Sequence, residues 1–213
     1  DKGDYDKALD YLERSFRIRE ELGNKAGVGI SLINIGNVYI DKGDKDKALD
    51  NNEKSFRIFE ELGDKRSMGG SLVNLGILHT TNGDYDTGLD YLERSFRIFK
   101  KLEDKYAMGI TINNIGLVHA DIGDLDTALD YYTKSLAIYE EIGDKRGIGN
   151  ILTNIGIVYY YKGDYEQALN YLEKYFAIQK EIGVKGIELE TTTSLYLTNK
   201  YFGKEFDEKE IYS

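Results

Sequence analysis

From Tyr5 to Leu22 the positions Tyr5, Ala8, Leu9, Leu12, Ser15, Phe16, Arg19 and Leu22 fall three or four residues apart, the spacing of one face of an α-helix. Asp10, Glu13, Arg14, Arg17, Glu20 and Glu21 take the opposite side. Asp4 is the predicted N-cap and Gly23 the predicted stop. A second stretch, roughly Lys25 to Asp41, carries Val28, Leu32, Ile35 and Tyr39 at four-three-four spacing, widened by Ile30, Ile33 and Val38. It also predicts a helix. Ile and Val would suit a strand, and with it an α/β solenoid of leucine-rich type, but alternation fails at Leu32-Ile33 while helical spacing holds in every later copy.

Those copies are the main signal. Glycine recurs every 40 residues at Gly3, Gly43, Gly83, Gly123, Gly163 and Gly203, opening segments such as GDYDKAL, GDKDKAL and GDLDTAL. Between them SLINIGNVY, SLVNLGILH, TINNIGLVH and ILTNIGIVY place Gly36, Gly76, Gly116 and Gly156 in register. Two helices of about 17 residues per unit make an αα-hairpin whose apolar face a neighbour must cover, so the predicted fold is an all-α solenoid. The predicted units are a partial one at 1–24, full ones at 25–64, 65–104, 105–144 and 145–184, and a degenerate one at 185–213, where Ser194, Tyr196 and Asn199 break the pattern. The truncated first and last units are those expected of a piece of a longer protein.

The repeat resembles the tetratricopeptide repeat over essentially the whole chain. Leu32, Ile35, Gly36 and Tyr39 match the first-helix pattern of that family, and Ala48 and Phe56 the second. The proline that closes the 34-residue version is absent, and the second helix runs longer through EELGDK. That is similar to the 40-residue repeats of kinesin light chains, spindle-orientation adaptors and bacterial multidomain signalling proteins. The resemblance implies a right-handed α-α superhelix with about four full hairpins and partial ones at each end. Gly36 and Ala48 are expected where two helices approach too closely for larger side chains. Gly88, in the alanine position, keeps the volume small and weakens its helix by roughly 1 kcal/mol.

In this family the first helices line a concave surface that holds a peptide or a helix. Carried over position by position, that face comprises Ile33, Asn34, Asn37 and Ile40, then Val73, Asn74, Ile77 and Thr80. The later copies add Asn113, Asn114 and Leu117, then Asn150, Thr153, Asn154, Ile157 and Tyr160. Asn34, Asn74, Asn114 and Asn154 form a ladder that either hydrogen-bonds the backbone of an extended peptide or is engaged within its own helices; both readings stay open. Asn37, Ile77, Leu117 and Ile157 share one position and differ, as do Ile33, Val73, Asn113 and Thr153. Variable apolar residues on such a face tend to mark an interaction site. None of the face residues is basic, which argues against a carboxylate-clamp ligand.

Charge and composition narrow the partners. With 38 acidic against 28 basic residues the net charge is -10, so nucleic acid is repelled, and no apolar run is long enough for a membrane span or signal peptide. A neutral or basic, amphipathic protein or peptide is the expected partner, and the cytoplasm the expected compartment. With no cysteine there is neither a disulfide nor a thiolate metal site. His79 and His119 stand in the Tyr39 position, as core substitutes for tyrosine, with no carboxylate at ligand spacing beside them in sequence. Gly27-Val28-Gly29 and Gly147-Ile148-Gly149 lack the rest of a dinucleotide fingerprint and read as helix-start glycines. The sequence thus points to a non-catalytic scaffold with no cofactor and no metal. Two other readings remain. One is a regulatory segment acting on the output domain of a larger cyclase, kinase or transcription regulator. The other is self-association into a homo-oligomer through uncapped ends, where Tyr11, Leu12 or Phe16 lacks a covering helix.

Overall fold

Each helix begins and ends for a reason visible in the sequence. The side chains of Asn24, Asp44, Asp64, Asp84, Asp124 and Asp164 each accept a hydrogen bond from the backbone N–H three residues on, and Asp144 from that of Arg146, so a cap closes every one of these N-termini. Gly23, Gly43, Gly63, Gly83, Gly123, Gly143, Gly163 and Gly183, spaced at multiples of 20, take positive φ at the turns. The computed structural model describes residues 2–183, and the expected degenerate unit at 185–213, with Ser194, Tyr196 and Asn199, lies outside them. Among the described residues there are helices and no strand.

The chain divides into two compact units, Asp1–Ala107 and Met108–Ser213. The first holds α1 (Lys2–Glu21), α2 (Lys25–Lys42), α3 (Lys45–Leu62), α4 (Lys65–Thr81) and α5 (Tyr85–Lys101), each packed on the next. The second is built from α6 (Lys105–Asp121), α7 (Leu125–Ile142), α8 (Lys145–Tyr161) and α9 (Tyr165–Glu181). Even-numbered helices are the first of a hairpin, odd-numbered the second. Asp4, expected to cap α1, instead lies inside its first turn because the helix already begins at Lys2; there its charge still favours the helix dipole.

Within each hairpin the helices touch at glycine. A Cβ on Gly36 would stand 2.5 Å from Nδ2 of Asn52, on Gly76 2.7 Å from Cγ of Leu92, and on Gly116 2.8 Å from the Tyr132 ring. Ala48, Ala128 and Ala168, facing them, are fully buried. A second contact, nearer the start of the first helix, uses Gly29, Gly69 and Gly109. They lie under the rings of Phe59, Phe99 and Tyr139, so these are packing glycines and more than helix starts. Their carbonyls accept hydrogen bonds from the buried hydroxyls of Ser55 (3.0 Å), Ser95 (2.9 Å) and Ser135 (2.8 Å). Around these contacts Leu32, Ile35, Phe59, Leu72, Leu75, Leu92 and Phe99 fill the first unit, and Tyr132, Tyr139, Ile151, Ile155 and Val158 the second.

Gly88 is more constrained than its small size alone requires. A Cβ there would fall 2.3 Å from Cγ2 of Thr80 and 2.9 Å from the carbonyl oxygen of Gly76. Gly88→Ala should therefore lower the melting temperature, the clash outweighing the gain in helix propensity of about 1 kcal/mol, and pairing it with Thr80→Ala should recover part of the loss, the contact with the Gly76 carbonyl remaining. A single variant more stable than the parent would show that α4 and α5 separate freely at this point. Glu103 offers the opposite case: alone among the described non-glycine residues it has positive φ, at 56°, where other turns carry glycine. Glu103→Gly relieves a left-handed conformation costing about 1–2 kcal/mol and returns part of that in chain entropy. Thermal unfolding should shift upward by a few degrees, and a downward shift would contradict the strain.

Candidate functional site

The outward faces of the first helices carry the expected interaction residues, and each unit presents its own. In the first unit, Asn34, Asn37 and Ile40 on α2 are exposed and Ile33 is half-buried. On α4, Val73 is only 8% exposed and belongs to the core, while Asn74, Ile77 and Thr80 are half-buried. The α4 face is also internally bonded. Nδ2 of Asn74 donates to Oδ1 of Asn52 at 3.1 Å, Asn52 donates in turn to the carbonyl of Ala48 at 2.9 Å, and the Thr80 hydroxyl donates to the carbonyl of Ile77. Asn52 is fully buried where other copies have Leu12, Leu92, Tyr132 or Leu172, and the two bonds satisfy its amide there.

In the second unit, α6 presents Leu117 exposed with Asn113 and Asn114 half-buried; α8 presents Asn150, Ile157 and Tyr160 exposed with Thr153 and Asn154 half-buried. Nδ2 of Asn154 donates to Oδ1 of Asn113 at 2.8 Å and joins the two helices. Asn114 donates to the carbonyl of Ile110 and Thr153 to that of Gly149. The asparagine ladder is therefore not uniform: Asn74, Asn114 and Asn154 each donate inside the protein, by different routes, and Asn34 stands exposed. Tyr160 meets Tyr161 and Tyr165 edge-on, with ring centroids 6.0 and 5.4 Å away.

A repeated aromatic pair lies elsewhere. His79 stacks on Tyr91 and His119 on Tyr131, each at 5.3 Å between centroids, and Tyr159 on Tyr171 at 5.5 Å. Over each tyrosine sits a cation three residues on, Arg94 at 5.4 Å, Lys134 at 4.9 Å and Lys174 at 4.9 Å. The histidines do occupy the tyrosine position. The fold, however, brings a carboxylate to each: Nδ1 of His79 lies 3.1 Å from Oδ2 of Asp84, and that of His119 lies 3.6 Å from Oδ2 of Asp124. Sequence spacing hid this because the turn between the helices closes it. Among the described residues no group of three or more His, Cys, Asp or Glu is placed to hold a metal. The stacked pairs and the serine-to-glycine bonds escaped the sequence reading, although Tyr11, Tyr91, Tyr131 and Tyr171, and Ser15, Ser55, Ser95 and Ser135, recur in register.

The sequence model of the tetratricopeptide repeat matches residues 1–61, 67–141 and 108–181. The chain belongs to the tetratricopeptide repeat family. A search of curated protein sequences found no match. Among solved structures this repeat protein is similar to BtubC (BKLC) from P. vanneervenii, with TM-score 0.81, 17% identity and coverage of 93% of this chain and 84% of that one. A Rap protein complexed with Competence and Sporulation Factor gives TM-score 0.80 at 16% identity, covering 95% of this chain and 56% of that one. A putative kinesin light chain of Podosopora anserina with nearly identical TPR-like repeats gives 0.67 at 17% identity, covering 85% and 90%. At such identities the likeness is one of fold. No helix among the described residues is long and apolar enough to cross a membrane.

The capping carboxylates give the tetratricopeptide hairpins an acid-sensitive edge. Hydrogen bonds hold Asp44, Asp64, Asp84 and Asp124 below the ordinary carboxylate range. The chief donor is Lys47 for Asp44, Ser67 for Asp64, Thr87 for Asp84, with His79 adding to it, and Thr127 for Asp124. A depressed folded pKa contributes stability that is present above the unfolded value, 3.8, and is lost as the pH falls through the folded one. The melting temperature should thus hold between neutrality and about pH 5 and fall below about pH 4. Replacing the four by Asn, which caps equally well without titrating, should flatten that decline; an unchanged acid limb would place its origin elsewhere.

Proposed function

We propose that this chain is a non-catalytic protein-interaction scaffold that holds a peptide or helix against the outward faces of its first helices. The observation that carries the reading is the set of apolar side chains left open there. Ile40 is 40% exposed, Leu117 37%, Ile157 45% and Tyr160 44%, at positions whose identity changes from copy to copy. Apolar surface kept in water at variable positions is unfavourable for the free protein and favours a partner that covers it. Tyr160 and Tyr161 supply anchors of the kind that dominate binding energies, and Asn34, Asn37 and Asn150 supply exposed amides for a peptide backbone. The Rap protein with a similar fold is complexed with a factor, which supports binding as the use of the fold.

With no basic residue on these faces and a net charge of -10, the partner is neutral or basic and amphipathic, the charge acting mainly on encounter rate and on discrimination. Leu117→Glu combined with Ile157→Glu changes two exposed side chains and no core contact. Affinity for basic amphipathic peptides, measured by fluorescence anisotropy, should fall at least about tenfold, with helicity and melting temperature nearly unchanged. Equal affinity in the double variant would remove these faces from the binding site.

A further inference from the structure

The aromatic pair that recurs in three hairpins is incomplete in the fourth. Tyr39 on α2 occupies the position of His79, His119 and Tyr159, but the residue that should stack on it is Asn51, where the other hairpins have Tyr91, Tyr131 and Tyr171. Asn51, a much smaller side chain, lines the space beside Tyr39 and donates to the carbonyl of Lys47 at 2.7 Å. The space left open is a cavity of about 930 Å³ between α1 and α3, with α2 as its base. Its apolar lining is Phe16, Val28, Leu32, Ile35, Tyr39 and Ile58. Leu32 and Ile35 are core residues, while one face of the Tyr39 ring is met by the ammonium of Lys47, 5.1 Å from its centroid.

The third member of the arrangement is present. Lys54, three residues after Asn51, corresponds to Arg94, Lys134 and Lys174, the cations that lie over the stacked tyrosines, and it lines the cavity. The base ring is thus present, Lys54 holds the cation's place in register with its ammonium paired to Asp50 as Arg94 is to Asp90, and the tyrosine between them is what Asn51 replaces. A phenol ring suits the gap beside Tyr39 by shape and by charge, since its electron-rich face favours a cation and its apolar body rests near Ile35, one turn away on α2. Of the charged side chains that line it, Arg17 faces Glu13, Lys54 faces Asp50 and Lys47 faces Asp44. The volume lies in the range of ligand sites and exceeds one ring, leaving room for the chain that bears it.

We propose that this notch binds a tyrosine side chain carried on a peptide segment of a partner protein. It lies on the side of α2 opposite Asn34 and Asn37 and does not depend on the function proposed above. The test uses the full chain, labelled with ¹⁵N, titrated with acetyl-Gly-Tyr-Gly-amide and, in parallel, with acetyl-Gly-Leu-Gly-amide. The tyrosine peptide should shift the amide resonances of Ile35, Tyr39 and Asn51, the leucine peptide much less. Asn51→Tyr fills the notch from within: it should raise the melting temperature and weaken the tyrosine peptide at least about tenfold. Lys54→Gln, a change at an exposed position, should weaken it about threefold without altering stability. Absence of shifts at these residues, equal shifts with both peptides, or undiminished binding by Asn51→Tyr would each overturn the proposal. The Leu117→Glu, Ile157→Glu variant should bind the tyrosine peptide as the parent does, separating this site from the other.

Discussion

Two helices of a hairpin can lie as close as these do only where one of them has no side chain, and the architecture depends on that constraint. Gly36, Gly76, Gly116 and Gly156 meet a second helix at alanine or glycine, and Gly29, Gly69 and Gly109 pass beneath an aromatic ring. Each glycine carbonyl already accepts its own helix's N–H, and close approach buries its second lone pair where only a donor from the facing helix can reach it. The serines at 55, 95 and 135 answer that need, each donating to the carbonyl of the glycine that made the approach possible. Steric absence and hydrogen bonding are thus parts of one contact.

Variation reaches even the residue that covers the glycine. Arg19 stands where Phe59, Phe99 and Tyr139 stand in other copies, and its guanidinium donates to the carbonyl of Gly27 and the hydroxyl of Ser31. Gln179 takes the same position in α9 and lies beside Gly149. Asn52 replaces a large apolar residue in the core and stays satisfied through Ala48 and Asn74. Arg19 and Asn52 replace apolar packing with hydrogen bonds, whereas Oε1 of Gln179 is buried without a hydrogen-bond partner.

The repeat made the fold legible. Period, helix type, the close approach at Gly36 and Ala48, and the aspartate caps all follow from local rules that recur in every copy, so one unit predicts the rest. The candidate site was legible only as a set of positions. Which of them are open depends on packing between helices, and that packing buries Val73 while leaving Ile40 exposed on an equivalent face. The asparagines show the same limit: Asn114 and Asn154 are equivalent in sequence, yet one bonds within its helix and the other reaches Asn113. The notch beside Tyr39 was written as a single departure, Asn51, in a column of tyrosines, and its meaning required the stacking geometry of the other copies.

The hydrogen bond from Asn154 to Asn113 spans 41 residues, and the ties from Lys42 to Asp6 and from Lys45 to the carbonyl of Thr81 span 36. Such bonds close loops no longer than about one repeat, and the chain entropy of closing them is correspondingly modest. A hairpin can consequently pack once it and the neighbouring unit that covers its apolar face are available, during synthesis and before anything distant has emerged. Under load or heat the same locality favours loss of order one hairpin at a time from an end, a graded response that a protein knitted together by long-range contacts does not have.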